Sequence, residues 1–335
     1  LNLTLMKNKL FPLISLGNEA SPVLPDASQL VPGAIALANE ARFSTSTYSE
    51  PLTQYLTGWK DPEDLEAKIS YIAPKVPVAR RFEFKAAKNA EAFLSEIDDL
   101  REIGSAFKRV EYRGTTVLGK TRNRGLTIRL DRDELGGLMS EERAVALLRQ
   151  RILRNTYRRA MTALLALANN TAQVWGATDL PDEDMRAAIA AGQLASGVFP
   201  NRGLVGLVAW NLRSAAYAGS DKAGAFAGLA KMPREVGQSL GLEDLRTEAS
   251  LYQSSGTAKT RILESIAVFF YAQDFVDKDD PSHVKRFVSA VDGGGDMRVH
   301  REEVGPKFID LTIEHYDDIV GTSTVGAEKL TISAS

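Results

Sequence analysis

The sequence predicts an α+β protein in which strand-rich and helix-rich stretches are segregated along the chain. Three observations carry this. A charged, strand-patterned excursion runs from Ala79 to Leu130. One unusually long helix, Ser140 to Asn170, follows it. Beyond Asp179 the texture changes to short helices interleaved with short apolar runs, as in a mixed α/β domain.

Composition narrows the field. The 335 residues suffice for two domains, or for one domain with insertions. The net charge is −2, whereas a dedicated nucleic-acid binder shows a strong basic excess or stripe. No basic amphipathic face beside Trp or Phe dominates, and no run approaches the roughly 20 apolar residues of a membrane span. The absence of cysteine removes disulfides, thiolate nucleophiles and zinc–thiolate sites together, and fits a reducing cytoplasm. Lys7 and Lys9 precede only Leu10–Ile14, which Pro12 interrupts, too short a core for a signal peptide.

Residues 1–50 read as irregular. Pro12, Pro22, Pro25 and Pro32 punctuate them, and only Ala34 to Ala41 has the makings of a short helix. Their scattered Leu, Ile, Val and Phe suit an arm that orders against other copies better than a purely disordered tail. Leu52–Leu56 and Leu65–Ile72 read as short helices, and Pro74–Val78 as extended chain, because proline biases the residue before it. Arg81–Lys85, Val110–Arg113 and Thr127–Leu130 alternate polar with apolar, the mark of strands wet on one face. Gly114, Gly119, Gly125 and Asn123 supply turns. The expectation is a long two-stranded projection, which is marginal alone in water and needs a surface to lie on.

Ser140 is placed to cap the long helix, with Glu141 and Glu142 at its positive end. At 3.6 residues per turn, Val145, Leu148, Ile152, Thr156, Ala160, Ala163 and Leu167 share one side. Arg151, Arg154 and Arg158 share the other. That row invites a nucleic-acid reading, but carboxylates are plentiful enough for a solvated or salt-bridged face. Asn169 and Asn170 suit the helix end, giving a rod of about 45 Å. Downstream, a helix opens at Asp179–Asp184 and runs to Leu194, and Leu204–Val208 reads as a short buried strand. Helices follow near Asn211–Tyr217, Ala223–Leu229 and Arg234–Leu240, the last stopped by Gly241. Ile262–Ala272 reads as a central strand and Phe308–Tyr316 as a closing strand that returns to the long helix. No internal repeat is visible.

Signatures of catalysis do not emerge. There is no G-x-S-x-G elbow, and no G-x-G-x-x-G follows a strand. Gly256–Thr260 has the wrong spacing for a phosphate loop and reads as a polar loop. His283, His300 and His315 are far apart and read as ordinary surface or strand histidines. Asp277, Asp279 and Asp280 lack the calcium-loop pattern and read as a solvated turn, as does Asp292–Asp296 with its three glycines. No catalytic residue, metal site or cofactor site is assigned.

The order of parts resembles the major capsid protein of tailed bacteriophages, the Hong Kong 97-like fold. Gly17–Tyr48 resembles its N-terminal arm. Pro77–Phe84, continuing to Leu130, resembles its extended β-hairpin E-loop, and Ser140–Asn170 its spine helix. Asp179 to about Gln273 resembles its axial domain, and Phe308–Tyr316 its closing strand. The resemblance rests on layout and covers nearly the whole chain. It implies an arm over 1–50, the start of a peripheral domain over 51–78 and the E-loop over 79–131. The spine helix then occupies 132–175, the axial domain 176–275 and the closing peripheral strands 276–335.

It also implies a structural role and no enzymatic one. Hexamers and pentamers of one chain would close into an icosahedral virion shell around double-stranded DNA, bound without sequence specificity. Assembly would take place in the host cytoplasm, with portal, decoration or scaffold proteins as further partners and no membrane. Arg81, Phe82, Phe84, Tyr112, Arg113, Arg151, Arg154 and Arg158 are the candidate inter-subunit contacts. Some relatives cleave the front of the chain on maturation, with which a start at Leu1 is compatible. Some form Lys–Asn cross-links, but no motif marks Lys85, Lys88, Lys108 or Lys120 for this. A DNA-binding protein that uses the arginine row, its binding weakening steeply with salt, is one alternative, and two more stand beside this reading. One is a compartment shell of encapsulin type around protein cargo. The other is an enzyme with a non-contiguous site in the axial half, whose sign would be a deep pocket of convergent, pKa-shifted groups.

Overall fold

The computed structural model describes residues 47–86, 100–101, 106–107, 115–135, 140–222, 224–274, 277–291, 295–323 and 325–335. The unit considered below is Tyr48–Ser335. The expected arm as far as Ser46, its short helix at Ala34–Ala41 and the strand at Val110–Arg113 lie outside the described residues.

Two mixed sheets organise the chain. In the first, β1 (Lys75–Pro77) runs parallel to β11 (Val284–Ser289), and β11 antiparallel to β13 (Phe308–Gly321). The same β13 pairs antiparallel with β12 (Met297–Val304) and with β4 (Arg122–Asp131). The second sheet has the order β5 (Asn169–Trp175), β14 (Glu328–Ala334), β10 (Ile266–Phe270), β6 (Arg202–Gly206), β7 (Asp244–Glu248). Two ribbons stand apart from them: β2 (Arg81–Ala86) with β3 (Thr115–Lys120), and β8 (Leu251–Ser255) with β9 (Ala258–Arg261).

Helices α1 (Glu50–Gly58), α2 (Leu65–Ile72) and α3 (Glu141–Leu167) accompany the first sheet, although α3 also reaches the second. Helices α4 (Pro181–Ser196), α5 (Leu207–Ala218), α6 (Ala225–Ala230) and α7 (Pro233–Ser239) follow in the α/β half.

The expected central strand is found as β10. Its run is apolar on both faces because both are buried. Ala267 and Phe269 point into the core shared with α4, α5 and α7. Val268 and Phe270 point into the core shared with α2 and α3. Its ends, Ile262 and Ala272, lie outside the strand.

α3 forms where its cap and apolar period place it. The Ser140 hydroxyl accepts from the Arg143 N–H at 3.2 Å, and Glu141 and Glu142 occupy the first turn. The first half buries Ala144, Val145, Leu148 and Ile152 against β4, β12 and β13. The second half buries Leu153, Tyr157, Ala160, Met161 and Leu164 against α2 and the second sheet. One helix therefore serves two cores, which explains its 27 residues, a rod of about 40 Å. It is shorter than the sequence suggests. Asn169 and Asn170 do not end it, but open β5, where they pair with Glu328 and Lys329. Strand pairing satisfies their backbone groups better than a frayed helix end does.

Further expectations are corrected. Leu204–Val208 is buried strand only as far as Gly206, since Leu207 and Val208 begin α5. A Cβ on Gly206 would meet the Glu264 carbonyl oxygen at 2.1 Å, so the glycine lets the chain turn there against its neighbour. Thr127–Leu130 belongs to β4 and to the first sheet, not to the projecting ribbon. Tertiary pairing along β13 claims it, with Leu126 and Ile128 packed on the core and Leu130 buried. The helix stop at Gly241 is as expected. Its φ is +82°, and the Gly241 and Leu242 N–H groups close on Gln238 and Gly237 in a Schellman arrangement. Of the polar loop expected over Gly256–Thr260, only Gly256 and Thr257 form a turn, since Ala258–Thr260 pair with β8 as part of β9.

Candidate assembly surface

The ribbon β2–β3 leaves the first sheet at Thr121. That residue is 2% exposed; its N–H donates to the Arg80 carbonyl at 3.0 Å, and its hydroxyl meets the Ser289 hydroxyl at 2.9 Å. A two-stranded ribbon does not hold itself in water. This one is anchored by aromatic rings. Phe82 lies 4.3 Å and Phe84 5.4 Å from the Phe287 ring, centroid to centroid, with Val76 in the same cluster. Further along β2, the Lys85 N–H donates to Asp279 Oδ1 at 2.8 Å.

The loop that supplies Asp279 is not the solvated turn expected of three clustered aspartates. It wraps the buried Lys285, whose Nζ donates to the carbonyls of Lys278 and Asp280 at 2.8 Å each and lies 3.3 Å from Asp280 Oδ1. Burial pulls this ammonium below its ordinary range, against the opposing pull of Asp280, Asp277 and Asp279.

The two faces of the first sheet differ. On the ribbon side a polar lattice crosses β4 and β13. Arg129 grips Asp310 with two hydrogen bonds of 2.7 and 2.8 Å, and Thr127 meets Thr312 at 2.8 Å. Asn123 donates to the Tyr316 hydroxyl at 3.1 Å, and the Arg80 guanidinium lies 4.3 Å from the centre of the Tyr316 ring. The α3 side is apolar along Ile309, Leu311 and Ile313, then turns ionic.

Asp317, with 0% of its surface exposed, sits there among three guanidinium groups. Arg159 of α3 donates to both its oxygens at 3.0 and 3.2 Å. Arg124 of β4 is 2.9 Å away and Arg286 of β11 is 3.6 Å away, with His315 Nε2 at 3.5 Å. Burial alone would raise this carboxyl's pKa, but His315, Arg159 and Arg286 more than offset that and hold it at about 2. One side chain thus ties α3 to β4, β11 and β13.

Of the surface or strand histidines expected, His300 and His315 are strand residues, and none of the three is on the surface. His283, His300 and His315 are 2%, 3% and 3% exposed. His283 is pinned between backbone groups of Tyr271 and Val325, and burial lowers its pKa despite those bonds.

The candidate contact residues separate into distinct environments. Phe84 is 3% exposed and Phe82 half-buried, so both rings are engaged within their own chain, whereas Arg81 is exposed. Arg151, Arg154 and Arg158 form an exposed row on α3. Of these, Arg154 is paired with Glu63, and Arg158 lies over the Tyr252 ring at 3.9 Å. Tyr112 and Arg113 lie outside the described residues. Sequence reasoning overlooked Asp317 and Phe287. A signal for the first exists, since His315 and Asp317 continue the period-two phase of Ile309, Leu311 and Ile313 onto the core face.

With this geometry in hand, comparison is informative. The chain is similar in structure to a phage-related protein from Bordetella bronchiseptica, with a TM-score of 0.60 at 15% identity, over 85% of this chain and 96% of that one. The fold is Hong Kong 97-like. Weaker likenesses include a Mycobacterium phage Cain structure, at 14% identity over 89% of this chain and 98% of the other, with a TM-score of 0.49. The mature capsid of bacteriophage PhiM1 has the same TM-score of 0.49 at 8% identity, over 79% of this chain and 86% of the other. No protein-family model matches the chain, and no curated protein matches it. Among the described residues, no helix is long and apolar enough to cross a membrane.

Proposed function

We propose that this chain is the major capsid protein of a tailed bacteriophage. Its role is structural: copies associate as hexamers and pentamers into an icosahedral shell enclosing double-stranded DNA. The observation that carries the reading is a Hong Kong 97-like architecture over most of the chain, with one spine helix clamping two cores and a ribbon projecting from the base sheet. In its described part the strand β2 is anchored by Phe82, Phe84 and Lys85, while β3 beside it is largely exposed. Its exposed outer residues, Leu118 at 81% among them, gain burial from a neighbouring copy. Contacts of a few kcal/mol each, repeated over a closed shell, make a durable container. Portal, scaffold or decoration proteins are the further partners this reading implies, and the virion is the place where it acts.

The test is the mass of the purified protein in solution, followed by electron microscopy and assay of particle contents. Megadalton hollow particles that hold nucleic acid are expected. A stable monomer overturns the reading, and particles filled with protein cargo replace the phage shell by a compartment.

A further inference from the structure

We infer that the groove beside α3 takes the phosphodiester backbone of nucleic acid, without base preference. This deepens the shell reading and rests on it for the enclosed nucleic acid as the occupant.

The groove encloses about 850 Å³ between the outer side of α3, the start of α2 and the segment Thr247–Gln253. Its cations are Arg151, Arg154 and Arg158 from α3, Lys68 from α2 and Lys259 from β9. Its carboxylates are Glu63 and Glu248, and both are already engaged. Glu63 accepts from Arg154 and, at 3.2 Å, from Gln150 Nε2. Glu248 accepts from the Tyr157 hydroxyl and, at 2.6 Å, from the Ser250 N–H.

Among the described residues, no carboxylate pairs with Arg151, Arg158, Lys68 or Lys259. Lys68 donates to the Ser250 hydroxyl at 3.4 Å, and Arg158 lies on Tyr252. Of the solvated or salt-bridged face expected of the arginine row, the described residues show an ion pair at Arg154 and solvated guanidinium groups at Arg151 and Arg158. The chain as a whole carries 41 Lys and Arg against 43 Asp and Glu, so this surplus is local.

The spacing suits a repeating polyanion. Arg151 and Arg158 are seven residues apart on a rigid helix, about 10 Å. One nucleic-acid strand presents a phosphate about every 3.4 Å, so the row spans about three of them. Guanidinium groups match phosphate oxygens bidentately, and the Tyr252 ring holds one of them in place. Carboxylates of an acidic peptide offer no such fixed repeat.

The experiment measures binding of random-sequence duplex DNA to dissociated, full-length subunits between 50 and 200 mM salt. Each phosphate contact contributes about 0.9 to the log–log slope. The combined variant Arg151→Ala, Arg158→Ala, Lys259→Ala removes three exposed cations, and its slope is expected to fall by about 3. The affinity lost across that salt range then shrinks by about 40-fold. Circular dichroism verifies that the variant is folded, and Arg234→Ala, an exposed cation on α7, leaves the slope unchanged. A combined variant with the parent's slope overturns the inference. So does a parent that fails to bind DNA at 50 mM salt, or one from which polyglutamate displaces DNA more readily than competitor DNA does; that last result identifies an acidic protein segment as the occupant. Electron microscopy of the parent protein, whose candidate inter-subunit arginines are intact, separates the two claims when set beside the slope of the combined variant. A fallen slope without particles sinks the shell and keeps the groove, and hollow particles with an unchanged slope do the reverse.

Discussion

Arg159 and Arg151 stand about two turns apart on the same helix and share only their residue type. Arg159 reaches inward to Asp317, a carboxylate 158 residues further along the chain, and burial pulls its pKa down against that partner. Arg151 faces outward into a groove whose carboxylates are already held by other groups. The difference teaches that an arginine's role in this fold is decided by what crosses to meet it. The inward one closes a structural knot, and the outward ones leave charge available to a partner.

The largest expected effect comes from removing the centre of the knot. Asp317→Asn leaves three buried or half-buried guanidinium groups around a neutral amide. It should cost about 3–5 kcal/mol, read as a lower urea midpoint of dissociated subunits. A loss under 1 kcal/mol would mean the knot is incidental. Acid probes the same carboxyl. Its folded pKa of about 2 lies below the ordinary 3.8, so its contribution is fully present above about pH 4 and disappears as pH falls through 2. The parent should lose about 2 kcal/mol across that window that Asp317→Asn does not lose.

A direct contrast of the two arginines is the next effect in size. Arg159→Ala should destabilise the subunit by about 1–3 kcal/mol, because Arg124 and Arg286 still face Asp317. Arg151→Ala should stay within about 0.5 kcal/mol. Equal effects in thermal unfolding would erase the distinction. The smallest effect concerns the shared helix itself. Ser140→Ala removes the hydrogen bond to the Arg143 N–H and should cost about 1 kcal/mol. Hydrogen exchange in the first turn of α3 should rise, while the Asp317 end stays protected.

Much of the fold was legible before any coordinates. The cap at Ser140, the apolar period of α3 from Val145 to Ala160, the core of the β10 run and the stop at Gly241 are local signals, and each lies where it was read. The errors have a common origin. Thr127–Leu130 alternates just as a ribbon strand would, and only pairing with β13 assigns it to the sheet. Asn169 and Asn170 would end a helix well, but β14 recruits them into a strand. Phe82 and Phe84 read as available for contact until Phe287, about two hundred residues away, takes both rings.

The sequence by itself determined where the long helix begins, where the helix before Gly241 stops, which faces are apolar and that one helix is exceptional. These follow from hydrogen bonds and side-chain periods that reach no further than a few residues. Only the tertiary structure decided which charges are neutralised. Asp317, Lys285 and the arginines of α3 are partnered, or left without a carboxylate, by segments far off in sequence. The energy of a charge depends on its burial and on its nearest counter-charge, and neither exists until the chain is folded.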